Sequence, residues 1–260
     1  EKDMRLRSVA VIPARMASSR FPGKPMQPIL GTPMIGHCYH RVRMCPNLDA
    51  TYVATCDKEI FDYIQGLGGN VVMTSRHHER ASDRAAEAML KIEELSGKPI
   101  DLLVMVQGDE PMDTPEMVSG AIRPFNEDAS LQVVNLMGNI NSVKEFDDPN
   151  TVKVVTDQNN NALYFSREPI PSRKKGVDVV PMLKQICVIP FRRDFLLKFN
   201  QTPETPLEKI ESVDMMRILE MGGTVRMVKT PEESIGVDTP EDLREVEDLM
   251  RTDPLLPLYA

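Results

Sequence analysis

Val9-Ala10-Val11-Ile12-Pro13-Ala14-Arg15-Met16-Ala17-Ser18-Ser19-Arg20-Phe21-Pro22-Gly23-Lys24-Pro25 is the stretch on which the fold turns. A short, continuous apolar run breaks into a loop with three cations, two hydroxyls and one glycine. Such a run, bounded by turn residues, reads as a strand buried on both faces. The loop offers positive charge from Arg15, Arg20 and Lys24, and hydrogen bonds from Ser18, Ser19 and the backbone. A triphosphate needs that set of groups. The spacing is neither that of a P-loop nor that of a dinucleotide fingerprint. Taken alone, the loop reads equally well as a basic surface turn.

The pattern around the loop repeats. Residues 8–13 predict the first strand and 34–44 a helix with a proline at its start. A second strand at 50–55 and a helix at 58–67 follow, then a short strand at 70–73. A helix over 82–95 takes Ser82 as its cap. The apolar run 102–106 predicts a fourth strand ending at Gln107-Gly108-Asp109. This alternation implies an α/β fold: a mainly parallel twisted sheet with helices on both faces. Ligands in such sheets bind beyond the carboxyl ends of the strands, so the 15–24 loop and residues 107–111 should share one edge. The second half is less regular. Strands are expected at 153–156, 162–166, 185–190 and 224–229, and helices at 208–221 and 240–251. The Pro- and Lys-rich stretch 169–181 reads as a lid, a partner-facing arm or a mobile connection.

Composition narrows the classes. The chain has 260 residues, and its formal charge of −8 argues against general nucleic-acid binding, which needs a broadly basic face. No apolar run approaches the length of a membrane span. The N-terminal residues lead into a strand and not into a leader-like apolar segment. Cys38, Cys45, Cys56 and Cys187 form no Cys-x-x-Cys pair, so a reducing, cytoplasmic setting is expected. His37 and His40 lie three apart on a predicted helix; packing explains them better than metal binding.

Two acidic motifs complete the argument. Asp109, in Val106-Gln107-Gly108-Asp109-Glu110-Pro111, stands at the tip of a buried strand, where a carboxylate can hold Mg²⁺ or merely shape a turn. In Gly236-Val237-Asp238-Thr239-Pro240, Thr239 reads as a helix cap, with Asp238 facing the site. Cations for a triphosphate plus two carboxylates for metal imply in-line attack on an α-phosphorus, with pyrophosphate leaving.

At this point the sequence resembles the CMP-Kdo synthetase (3-deoxy-manno-octulosonate cytidylyltransferase) family. The segments that carry the resemblance run in order: Ile12 to Pro25, Gly31-Thr32-Pro33-Met34-Ile35, Val106 to Pro111, Val152-Lys153-Val154-Val155, Ala162-Leu163-Tyr164-Phe165-Ser166-Arg167, and Gly236 to Leu243. The resemblance implies a Rossmann-like domain over 1–260, with an inserted, smaller mixed α/β dimerisation and acceptor-side region at about 140–210. It also implies CTP, Mg²⁺, a small acid acceptor and a homodimer. By position, Arg15, Lys24 and Asp109 become catalytic, and Arg15, Ser18, Arg20, Lys24, Ser82, Arg84 and Gln107 nucleotide-binding. Gln107, Tyr164, Arg167, Gln185 and Asp214 become acceptor-binding, and Asp109 and Asp238 the metal ligands.

The departures lie on the acceptor side. Gln185-Ile186-Cys187-Val188-Ile189-Pro190-Phe191 stands where the family has a His- and Tyr-bearing strand. Asp214-Met215-Met216-Arg217 stands for Glu-Gln-Leu-Arg. A separate departure, Arg80-Ala81 for Ser-Gly, falls in the segment 80–84 that the resemblance places near the cytosine and ribose. Loss of hydroxyl-reading groups alters discrimination strongly. The expected reaction is CMP transfer to a 3-deoxy-ulosonic (Kdo-like) sugar acid, with the altered pocket pointing away from ordinary Kdo. A phosphonate is the second reading of the acceptor. A non-catalytic nucleotide-binding regulator is the reading of another class, opposed by the retained Lys24, Asp109 and Asp238.

Overall fold

The apolar run forms β1 (Ser8–Ala14), and its alternate side chains enter two different cores. Val9 and Val11 share one core with Ala85, Met89 and Ile92. Ala10 and Ile12 share the other with Ile35, Tyr39 and Val42. The computed structural model describes residues 5–260; residues 1–4, part of the expected N-terminal lead-in, lie outside the described residues. The further strands are β2 (Pro28–Ile29), β3 (Thr32–Pro33), β4 (Ala50–Thr55), β5 (Val71–Met73), β6 (Leu102–Val106), β7 (Val134–Asn139), β8 (Lys153–Thr156), β9 (Ala162–Ser166), β10 (Leu183–Ile186), β11 (Val188–Arg192) and β12 (Arg226–Lys229). The helices are α1 (Met34–Arg43), α2 (Lys58–Gly66), α3 (Ala81–Ser96), α4 (Pro115–Ile122), α5 (Pro124–Glu127), α6 (Val143–Asp147), α7 (Arg193–Gln201), α8 (Pro206–Glu211), α9 (Met215–Glu220) and α10 (Pro240–Met250).

One sheet runs β11-β6-β1-β4-β5, with β6, β1, β4 and β5 parallel and β11 antiparallel on the outside of β6. This is the expected parallel sheet between two helical layers. The second sheet, β12-β7-β10-β8-β9, is mixed. β10 and β11 are two halves of one extended stretch divided at Cys187, and a bridge from Phe191 to Val133, next to β7, ties the sheets together.

Two partings of strands position the site. β1 pairs with β4 as far as Ala14, yet its pairing with β6 stops at Val11. Pro13, which has no N–H to give, falls where β1 has outrun β6. Strand order also reverses between β1 and β6, the place where open α/β sheets bind ligands. The second parting is at Cys187. Its carbonyl accepts the Gln107 N–H at 3.0 Å, while the Gln185 N–H turns to the Val152 carbonyl at 2.8 Å. The extended stretch thus changes neighbour from β6 to the β8 side, leaving a gap between residues 107–109 and Val152.

Three expectations need correction. Residues 208–221 form two helices, not one, because Arg167 takes the carbonyls of Glu211 (2.7 Å) and Ser212 (2.8 Å), and Ser212 turns left-handed at φ 54°. Ser82 does not cap α3; that helix begins at Ala81 and Ser82 is fully buried within it. The 185–190 strand is longer and divided. The stretch 169–181 carries neither helix nor strand. His37 is a packing residue: its Nε2–H donates to the Ile29 carbonyl (2.8 Å), leaving Nδ1 to accept from Tyr259 Oη (2.7 Å). Burial lowers its pKa, consistent with that neutral ring. Among the described residues no helix is long and apolar enough to cross a membrane.

Candidate active site

A cavity of about 420 Å³ opens at these two partings. Its donor side is the 15–24 loop, which contributes Arg15, Ser18, Arg20 and Lys24. The loop is closed at its neck, where the Gly23 N–H donates to the Met16 carbonyl at 2.8 Å and Gly23 sits at φ 74°, a conformation costly for other residues. Inside, the Phe21 N–H donates to Ser18 Oγ at 3.3 Å, and the buried Phe21 ring packs with Val237 and Met250. Asp57, following β4, fixes the neck from below by accepting the Met16 N–H at 2.8 Å. Arg20 reaches across to Asn150, beside β8, and donates to its Oδ1.

The carboxylates enter from two strand and helix ends. Asp109 follows β6 through Gly108, where a Cβ would lie 3.3 Å from Ile35 Cδ1; glycine lets the strand end settle onto α1. The Asp109 carbonyl accepts the Val237 N–H at 2.7 Å, and the Val237 carbonyl accepts from Lys24 Nζ at 2.8 Å. One short backbone segment thereby links the first carboxylate to the loop lysine. Thr239 caps α10 as expected: its Oγ1 accepts the Asp242 N–H at 3.2 Å, and Asp242 Oδ2 takes the N–H groups of Asp238 and Thr239. That leaves the half-buried Asp238 side chain on the cavity wall.

Asp109 Oδ1 is buried with no hydrogen-bond partner. Burial raises the Asp238 pKa, and the adjacent Asp109 charge raises it further. Two oxygen-bearing groups in this condition fit a hard divalent cation that takes its other oxygens from phosphate and water. No group of three or more metal-binding side chains exists among the described residues. Behind Asp109, Ser234 Oγ lies 2.9 Å from both Glu110 and Asp113. A hydroxyl has one proton to donate, so one of these acids must hold its own. Burial pushes Asp113 up to about 7 and Glu110 well above its usual range, so the pair adds less than two charges behind Asp109 at neutral pH.

The remaining expected residues divide. Arg84, Gln107, Arg167, Gln185 and Asp214 line the cavity with the loop and the carboxylates. Arg84 is anchored by Thr74 Oγ1 (2.5 Å), and Gln185 Nε2 donates to Asn135 Oδ1 (2.7 Å). Ser82 lies beneath the wall and donates to Asp214 Oδ2 at 3.1 Å. Tyr164 is placed outside the cavity, packed against the hydrophobic core beside α9. Asp57 and Asn150 were not read from the sequence. Asp57 stands at the end of a parallel strand, as Asp109 does, and that shared position was the available signal.

The comparisons with known proteins identify the family and the fold. The family described as Cytidylyltransferase matches residues 9–235. The 3-deoxy-manno-octulosonate cytidylyltransferase of Syntrophotalea carbinolica is 45% identical over 250 residues, covering 93% of this chain and 98% of that one. Its counterpart in Geobacter metallireducens is 42% identical, with 93% and 96% covered. Among solved structures, a CMP:2-keto-3-deoxy-manno-octonic acid synthetase complexed with CTP superposes with a TM-score of 0.86 at 38% identity, over 94% of this chain and 98% of that one. A 4-diphosphocytidyl-2C-methyl-D-erythritol synthase from Anaerococcus prevotii shares the fold alone, at TM-score 0.64 and 15% identity, covering 95% and 96%. By sequence along nearly its whole length, by fold and by the order of its motifs, the chain belongs to the cytidylyltransferase family, among the 3-deoxy-manno-octulosonate cytidylyltransferases.

Proposed function

We propose that this nucleotidyltransferase couples CTP to a 3-deoxy-ulosonic, Kdo-like sugar acid, giving a CMP-linked sugar acid and pyrophosphate. One observation carries the site assignment: the unpartnered Asp109 Oδ1 and the neighbouring Asp238 stand in the same cavity as the cationic loop, tied to Lys24 through Val237. The names of relatives 40–45% identical over most of the chain support the sugar-acid acceptor. They do not favour a phosphonate acceptor or a non-catalytic role.

Arg15, Ser18, Arg20 and Lys24 bind the triphosphate, and the closed loop neck orients it. Asp109 and Asp238 would hold magnesium, which when bound would polarise the α-phosphate and neutralise charge on the departing pyrophosphate. An acceptor hydroxyl oxygen attacks the α-phosphorus, the bond to the bridging oxygen of the β-phosphate breaks, and the hydroxyl proton passes to solvent. Arg84 faces the base and ribose; Gln107, Arg167, Gln185 and Asp214 face the acceptor. Lys24 and Arg15 stabilise the leaving charge electrostatically.

Residues 140–210 form, in this reading, an acceptor-side insert in a single domain, and it also supplies the surface of a homodimer. Exposed Leu163, Val177 and Val179 support that surface. Equilibrium sedimentation is expected to give twice the chain mass; a monomer mass at micromolar concentration would remove the dimer. The four unpaired cysteines support a cytoplasmic setting.

The central test is pyrophosphate release with Mg²⁺, Kdo and each nucleoside triphosphate. Release is expected with CTP, with kcat/KM at least ~100-fold above that for UTP, ATP or GTP, the scale set by unpaired polar groups in a mismatched site. No release with any sugar acid would end the reading, and equal use of UTP would misplace the base pocket.

A further inference from the structure

Arg80 lies on the cavity wall at the point where the sequence departs from the family pattern. Its guanidinium is fixed from the far side. Nη1 donates to Asp214 Oδ1 at 2.8 Å and Nη2 to Glu204 Oε1. Asp214 is nearly buried, and its other oxygen accepts from Ser82, so both its oxygens are occupied by the 80–82 segment. The remaining acid nearby, Glu208, lies 3.9 Å from Nε and is engaged by Arg217 through two bonds of 2.7 Å. Asp214 therefore orients Arg80 at the cavity wall.

A guanidinium carries five N–H donors. Two are used in these bonds, and the group remains about a quarter exposed at the cavity. Arg80 and Arg217 bring two positive charges, and Asp214, Glu204 and Glu208 three negative ones. That balance disfavours another carboxylate beside Arg80, while its free N–H groups suit neutral oxygens. Arg167, on the same cavity wall, is a cation for the acceptor's carboxylate.

We propose that Arg80 is a specificity-determining residue of the acceptor site, donating to an uncharged hydroxyl oxygen of the sugar acid while Asp214 and Glu204 hold it in place. This rests on the acceptor class given above. It differs from a structural role for Arg80 in requiring that the loss depend on the substrate.

The test uses the full-length chain, steady-state pyrophosphate release, and Kdo alongside analogues lacking one hydroxyl each. With wild type, one deoxy analogue is expected to show a KM raised roughly 10- to 100-fold, the scale of a hydrogen bond to a charged group. Arg80→Ala should raise the KM for Kdo by a similar factor, leave the KM for CTP within about twofold, and show no further loss with that same analogue. Arg80→Lys should recover part of the effect. Equal losses on every analogue, or no change in the KM for Kdo, overturn the proposal. If Arg80→Ala does not fold, the wild-type analogue series decides: uniform KM values across it overturn the proposal. Failure of wild type to use any sugar acid would instead strike the acceptor class itself.

Discussion

Asp109→Ala is expected to lower cytidylyl transfer by about three orders of magnitude or more while the chain stays folded and no less stable. The activity loss follows from removing a ligand for charge stabilisation worth several kcal/mol, at roughly tenfold per 1.4 kcal/mol. The stability expectation follows from the site itself. Asp109 Oδ1 is buried without a partner, and Asp109 raises the pKa of an Asp238 carboxyl already raised by burial. Truncation deletes an unsatisfied oxygen and a like charge together. Asp238 binds its proton more tightly folded than unfolded, so its destabilisation is present above its folded pKa and is relieved as pH falls through that value. In Asp109→Ala that pH dependence should shrink. Thermal unfolding at two pH values, beside pyrophosphate release, checks both halves. A variant that keeps near-normal turnover removes Asp109 from the metal site. One that loses activity by unfolding shows that the carboxylate is structural.

The sequence carried the donor half of this site because that half is local. The β1 run, the cations after it and the Gly108-Asp109 strand end are each contiguous, and parallel neighbours bring them to one edge. The acceptor half is assembled from long-range contacts. Nothing in residues 208–221 announces a break; Arg167, more than 40 residues earlier, extracts two carbonyls and stops the helix. Ser82 has the composition of a cap, yet Asp214 captures its hydroxyl from 132 residues away. Tyr164 was placed by its motif alone, and packing beside α9 keeps it from the cavity. The parting at Cys187 depends on β6 and β8 lying on the same side of one strand, which no local pattern encodes. The role of Asp57 is not legible in the sequence because it rests on the backbone N–H of Met16, on another strand's loop.

Glu208→Ala carries the largest expected cost in stability, and it acts through the acceptor wall. Glu208 is fully buried and holds Arg217 through Nε and Nη2, both at 2.7 Å. Arg217 also donates to the carbonyls of Phe199 (2.9 Å) and Thr202 (3.1 Å) and stacks 4.2 Å from the Phe199 ring centre. The pair thus fastens α8 to α9 across the Ser212 turn and anchors both to the end of α7. Removing the carboxylate strands a buried guanidinium, a change that costs about 3–5 kcal/mol when buried pairs are broken. Against a typical total of about 5–15 kcal/mol this is a large share. At about 2–4 °C per kcal/mol, the unfolding midpoint should fall by about 10 °C. The double variant Glu208→Leu with Arg217→Met removes both charges and should recover much of that loss, since an apolar pair of similar volume is often neutral. The two variants separate ion-pair breakage from lost packing. If the single variant unfolds within about 1 kcal/mol of wild type, the pair does not hold the wall. Kinetics adds a second readout: because Asp214 follows directly after the turn, a loosened wall should raise the acceptor KM more than the KM for CTP, whose loop is anchored separately through Asp57 and Val237.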